Sequence, residues 1–67
     1  MQLSARNQLK GKVTDVKKGP VSTEVTININ GQIVVSSITT GSAETMNLEI
    51  GDEVTAVIKA SNVMIAK

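Results

Sequence analysis

From Val21 to Ile29 the chain alternates without a break, with Val21, Thr23, Val25, Ile27 and Ile29 in one phase and Ser22, Glu24, Thr26 and Asn28 in the other. A period of two in β-branched residues predicts a strand. Asn30-Gly31 follows at once and suits a two-residue type I′ hairpin, because both central residues need positive φ and these two types tolerate it best. The turn sets the register: Ile29 faces Gln32, Ile27 faces Val34 and Val25 faces Ser36 on one side, while Ile33 and Val35 emerge beside Asn28 and Thr26 on the other. A half-buried sheet in a monomer keeps one face polar, yet here both faces carry aliphatics. Two readings follow: Ile33 and Val35 form a subunit contact, or the hairpin is buried on both sides inside one small barrel.

Upstream, Leu9, Gly11 and Val13 alternate before Val16 breaks the phase. This predicts a first strand with a bend, marked by Gly11, that ends in a turn at Lys17-Lys18-Gly19-Pro20. Downstream, Val54, Ala56 and Ile58 alternate with Thr55, Val57 and Lys59, and Val63 and Ile65 resume after Ala60-Ser61-Asn62, so the last strand is interrupted. Between them Ser42 to Leu48 lacks β-branched density and predicts one or two helical turns, with Ser42 as N-cap and Glu44 in the first turn. Gly51-Asp52 turns the chain. There is no repeat, linker or low-complexity tract, so residues 1–67 form one unit of four or five strands around a short helix. An all-β, OB-like or SH3-like small barrel fits this order.

Composition sharpens the need for a partner. A chain of 67 residues buries only roughly 60% of its unfolded surface, and small domains compensate with disulfides, metals or other subunits. With no Cys, no His and no Phe, Tyr or Trp, the core rests on Val, Ile, Leu, Met and Ala, and oligomerisation remains as the source of added stability. No window reaches the ~18 apolar residues of a membrane span and no signal-peptide run opens the chain, so the expectation is a cytoplasmic protein without a membrane partner.

The chemistry present excludes more than it offers. The usual acid-base and nucleophilic groups, His and Cys, are missing, and the carboxylates fall at turns and polar faces, so the expectation is a protein that is not an enzyme. No phosphate-loop or EF-hand spacing occurs, and no direct metal ligand set is expected. What stands out is a grouping of hydroxyls, small residues and cations in Ser4-Ala5-Arg6-Asn7, Thr39-Thr40-Gly41-Ser42-Ala43 and Lys59-Ala60-Ser61-Asn62. A tetrahedral oxyanion such as sulfate, molybdate or tungstate only accepts hydrogen bonds, so its pocket must supply amides, hydroxyls and a cation or two. The small residues Ala5, Gly41, Ala43 and Ala60 let backbone amides approach closely. Each piece also has an ordinary reading: Arg6 and Lys59 as surface cations, Ser42 as a cap, Ser61-Asn62 as a turn or bulge. Lys59 is the least ordinary, since it lies within an apolar alternation where a buried charge would need a partner.

The run Ser4-Ala5-Arg6-Asn7-Gln8-Leu9-Lys10-Gly11, the Ile38-to-Ser42 segment and the ending Ile58-Lys59-Ala60-Ser61-Asn62-Val63 together resemble the molbindins, the Mop-type proteins of bacteria. The resemblance covers essentially the whole chain. It extends to the molybdate-binding repeats of molybdate-responsive regulators and of some importer ATPases. It implies an OB-like barrel with strand exchange between subunits, a homo-hexamer built as a trimer of dimers, and molybdate or tungstate held between subunits without chemical change or any other cofactor. Matched position by position, Ser4, Ala5, Arg6, Lys59, Ala60 and Ser61 supply the oxyanion-binding motif from one subunit, and Thr39 and Ser42 supply hydroxyls from another. Arg6 and Lys59 would neutralise the dianion, Ser4, Thr39, Ser42 and Ser61 would donate hydroxyl bonds, and Ala5 and Ala60 backbone amides. Thr40-Gly41 is where family members vary.

Two rivals belong to other classes. An OB-fold binder of single-stranded nucleic acid stacks bases on aromatics and lines its groove with cations, but this chain has no aromatic residue and a net charge of +1, so no nucleic-acid partner is expected. A protein-interaction module would use the two apolar faces of the hairpin for an unrelated partner.

Overall fold

The structure, a computed structural model, describes residues 4–67. Strands β1 (Asn7–Lys18), β2 (Ser22–Ile29) and β3 (Gln32–Thr39) are followed by helix α1 (Thr40–Thr45), strand β4 (Glu53–Ile58) and a 3₁₀ turn, Ala60–Asn62. All pairings are antiparallel and the sheet order is β3-β2-β1-β4. The fold is therefore all-β with one short helix, as expected, but the sheet does not close into a barrel within one chain. β3 and β4 are both edges, and an apolar trough of about 560 Å³ lies between them, lined by residues that include Val34, Ile38, Leu48, Val54 and Ile58.

The β2–β3 hairpin has the predicted register, Ile29↔Gln32, Ile27↔Val34 and Val25↔Ser36. Asn30 and Gly31 have φ of 51° and 90°, and the Asn28 side chain accepts a bond from the Gly31 amide at 2.8 Å. Val25 and Ile27 point inward and join Val13 in the core, against which Val16, Ile29, Ile38, Leu48, Val54 and Ala56 pack. Each of the three buried aliphatics contributes about 1.5–3 kcal/mol by leaving water. Ile33 and Val35 point outward and are each 57% exposed, so the second reading, a hairpin buried on both faces within one chain, does not hold.

The bend in β1 falls later than Gly11. The register slips between Val13 and Asp15, and the extra residue, Thr14, restores the inward phase at Val16; such a bulge sharpens the local twist. Beside it Val13 donates to the Asp52 carbonyl at 2.9 Å and accepts from the Gly51 amide at 2.8 Å, which ties the turn before β4 to the bulge. Gly11 has a different task. A Cβ there would stand 2.6 Å from the Asn28 carbonyl oxygen and 2.7 Å from Ile27 Cγ2, so its missing side chain is what lets β1 lie against β2.

Two other expectations are corrected. The helix runs Thr40–Thr45 rather than from Ser42 to Leu48, and its N-cap is Thr39, whose hydroxyl accepts from the Ser42 amide. Thr39 ends β3 in an extended conformation (φ −67°, ψ 145°), the backbone an N-cap requires, so the helix starts as soon as the strand stops. Glu44 then lies beyond the first turn, and Asn47, at φ 51°, ends the helical path before Leu48. After β4 the chain does not resume a strand at Val63. The Ala60–Asn62 turn redirects it, and no strand follows among the described residues, leaving Met64 and Ile65 93% and 89% exposed.

Candidate functional site

β1 begins beside the end of β4, because Asn7 pairs with Ile58. That antiparallel pairing brings the segment leading into β1 and the segment leaving β4 to the same end of the sheet, so Ser4, Ala5 and Arg6 lie in one neighbourhood with Lys59, Ala60 and Ser61. Ala5 is buried there, while Ser4, Arg6, Lys59, Ala60 and Ser61 are exposed. The apolar alternation of β4 stops at Ile58. Lys59 is thus outside the strand, in solvent, and needs no buried counter-charge. It caps the 3₁₀ turn, whose Asn62 amide donates to the Lys59 carbonyl at 2.9 Å. The first amides of a helical turn have no partner inside it, so Ala60 and Ser61 present N–H groups beside two cations.

Among the described residues neither Arg6 nor Lys59 has a carboxylate within 4 Å, and the ion pair that is present joins Lys18 to Glu44 at 3.8 Å. Two exposed like charges at one end of a sheet, with no carboxylate beside them among the described residues, form a place where an anion is favoured. No group of three or more acidic residues able to hold a metal cation occurs among the described residues.

The other two predicted residues lie elsewhere. Thr39 is level with Ser22 at the far end of β2, next to the Lys18 end of β1, where Lys18 reaches Glu44 of α1. The twelve residues of β1 separate this corner from Arg6 in a molecule 34 Å long. One chain therefore joins Ser4–Arg6 with Lys59–Ser61, and Thr39 with Ser42, but does not join the two sets. Within the second set Thr39 Oγ1 donates to Ser42 Oγ at 2.7 Å and accepts from the Ser42 amide at 3.1 Å. The Thr39 proton is used inside the pair, and the Ser42 hydroxyl proton is the one free to point outward.

Sequence reasoning missed the support beneath this corner. Thr23, fully buried, and Thr40 share a hydrogen bond at 2.8 Å, and Thr40 also donates to the Gly19 carbonyl at 2.7 Å. The alternation of β2 already put Thr23 on the inward phase, but nothing in the pattern revealed which residue would meet its hydroxyl. A separate polar hollow of about 520 Å³ on the outer face is lined by residues that include Lys10, Lys12, Asn28 and Glu53. Lys12 stands opposite Glu53 in the β1–β4 ladder, which offsets part of the positive charge of Lys10 and Lys12, and none of the candidate residues lines this hollow.

Comparison with known proteins bears on the family and the fold. Residues 3–65 match the model of the TOBE domain. The chain is 53% identical over 66 residues to molybdenum-pterin-binding protein 3 of Clostridium pasteurianum, covering 97% of both chains. A molybdate-binding protein from Sporomusa ovata superposes with a TM-score of 0.97 at 34% identity, over the whole of both chains. The cytoplasmic molybdate-binding protein ModG superposes at 0.89 with 40% identity, over 96% of this chain and 46% of that one. A full-length match in sequence and in backbone leaves one conclusion: the chain belongs to the TOBE domain family, in its Mop-type or molbindin branch.

Proposed function

We propose that this protein binds molybdate or tungstate as the intact oxyanion, in pockets formed between copies of itself, and so stores or buffers the ion in the cytoplasm without catalysis. The observation that carries the reading is the division of donors: cations and amides gather at the Asn7–Ile58 end, hydroxyls at the Thr39–Ser42 corner, with β1 between them. A second copy has to bring its Thr39–Ser42 corner to the first copy's Arg6 and Lys59. There Arg6 and Lys59 offset the two negative charges with charge-assisted hydrogen bonds, Ser4 and Ser61 donate hydroxyl protons, and Ala5 and Ala60 donate amides. From the partner, Ser42 donates directly and Thr39 holds Ser42 in place. The relatives described as molybdate-binding support the choice of ion.

Assembly follows the same logic. The open β3 and β4 edges, the trough between them and the exposed Val63, Met64 and Ile65 favour strand exchange, in which one copy's tail completes another's sheet, since a free edge is a template for a further strand. A homo-hexamer arranged as a trimer of dimers accommodates such pairs and also covers Ile33 and Val35. A pterin ligand, which the names of several relatives mention, is disfavoured because the chain has no aromatic residue on which such a ring would stack.

Isothermal titration of the purified oligomer with molybdate, tungstate and sulfate tests the reading. Heat with molybdate or tungstate, saturating at a fixed number per subunit, is expected. Silence with all three anions would reject it and return the interaction module to the front.

A further inference from the structure

We propose that Thr23 and Thr40 are positioning residues for oxyanion binding, a buried hydroxyl relay that sets the direction in which Ser42 presents its hydroxyl proton. The inference rests on the reading of Thr39 and Ser42 given above.

A hydroxyl has one proton. Thr40 spends its proton on the Gly19 carbonyl at 2.7 Å, so in the 2.8 Å contact between the two threonines Thr23 is the donor and Thr40 the acceptor. The relay runs Thr23 to Thr40 to Gly19 and ends on backbone. Thr40 is gripped a second time through its amide, which donates to the Val21 carbonyl at 2.9 Å, and the turn it holds is closed by Gly19 donating to the Ser22 carbonyl at 3.0 Å. The first residue of α1 is thus fixed by main chain and side chain to the β1–β2 turn.

Thr23 and Thr40 are the buried polar side chains among the described residues. Packing alone does not call for them, because valine has the shape of threonine, and replacing the two threonines together would leave only the half-buried Gly19 carbonyl short of a partner. What valine cannot do is choose an orientation. Thr40 lies between the two residues whose hydroxyls interlock on the outer side, Thr39 and Ser42, so the angle at which Thr40 is clamped sets where the remaining Ser42 proton points. A six-residue helix has little cooperativity of its own to hold that angle.

The test compares the assembled protein with Thr40→Val, Thr40→Ser and Thr23→Val, read in two ways. Titration with molybdate is expected to show affinity about tenfold weaker in Thr40→Val, the order of one ordinary hydrogen bond, restored in Thr40→Ser, and weaker by a smaller factor in Thr23→Val. Amide exchange in the ligand-free protein should show Ser42 exchanging faster relative to the Val25 amide in Thr40→Val and not in Thr40→Ser, the Val25 amide reporting the global destabilisation that follows when the buried Thr23 hydroxyl loses its partner. Unchanged molybdate affinity in an assembled Thr40→Val protein overturns the proposal, as does a Thr40→Ser protein as weak as Thr40→Val, which would mean packing. If Thr40→Val does not assemble, Thr23→Val decides, and normal affinity with normal Ser42 exchange in it also overturns the proposal. Should the unaltered protein take up no molybdate, the oxyanion reading fails by itself and so does the binding role given to the relay, while Ser42 exchange still reports whether the relay fixes the start of α1.

Discussion

The two halves of the sheet are finished to different degrees. Where β1 crosses β2 the packing is complete: Val13, Val25 and Ile27 are buried, Thr23 is sealed with its partner, and Gly11 leaves no room even for a methyl group. Where β3 and β4 approach each other a trough remains, its rim strands are unpaired on one side, and the apolar residues of the tail stand in solvent. The first half is what a single chain can build by itself. The second half is left open, with two free edges, a trough and an exposed apolar tail, and it is here that the proposed second copy would bind; the split of the candidate donors between the two ends of β1 repeats the contrast at the level of chemistry.

Substitutions can break this contrast, beginning with the largest effect. Gly11→Val should destabilise folding by about 3 kcal/mol or more, because overpacking here meets backbone at Asn28 as well as two isoleucine side chains. Thermal unfolding followed by far-ultraviolet circular dichroism would show it, and an unchanged melting curve would mean that the β1–β2 crossing is looser than described. Arg6→Ala and Lys59→Ala should each weaken molybdate binding by about 1.5–3 kcal/mol, the range for a lost hydrogen bond to a charged group, with melting of the ligand-free protein nearly unaffected since both side chains are exposed. Affinity unchanged from the unaltered protein in both variants, measured by calorimetry, removes the cationic end from the site.

A milder test addresses the outer face. Replacing Ile33 and Val35 together by Ser should weaken association by about 1 kcal/mol per side chain, in line with partial loss of apolar burial, while leaving the inward core as it is. Light scattering across a dilution series would reveal dissociation at higher concentration than in the unaltered protein; identical profiles would mean that this face is not an interface. Smallest of all, Glu44→Gln removes the 3.8 Å pair with Lys18 between two largely exposed side chains and should change stability by less than about 0.5 kcal/mol. A drop well beyond that in chemical denaturation would show that this corner is more tightly coupled than its exposure suggests.

Much of the finished half could be read from the chain beforehand, because local rules decide it. Alternation in β2 and the demands of a two-residue turn at Asn30-Gly31 fix the hairpin register almost by themselves, and that register came out residue for residue. The bulge at Thr14 shows in the sequence only as a break in phase near Val16, and Gly11 draws the bend to itself, since a glycine in a strand signals either a bend or a close approach and the pattern does not say which. The helix starts earlier than the pattern predicts because Thr39, Thr40 and Ser42 are all competent caps by type; the choice among them is made by where β3 stops. The tail alternates as a strand does, but among the described residues no strand pairs with it, and alternation alone cannot supply a neighbour. The candidate site follows the same division. Its segments were legible as groupings of donors, and the Asn7–Ile58 pairing explains why two of them meet, whereas the Thr23–Thr40 relay depends on a long-range contact that no local pattern encodes.

A mixing experiment tests most directly whether binding sites are shared between copies. Arg6→Ala and Ser42→Ala subunits, each impaired alone, are unfolded together, refolded as mixed assemblies and titrated with molybdate. Some contacts in the mixture then join an intact Arg6 from one copy to an intact Ser42 from another, so the recovery of a subset of tight sites is the expected result. If the mixture binds no better than the two variants apart, these donors do not come from different chains and the account of a shared pocket is wrong.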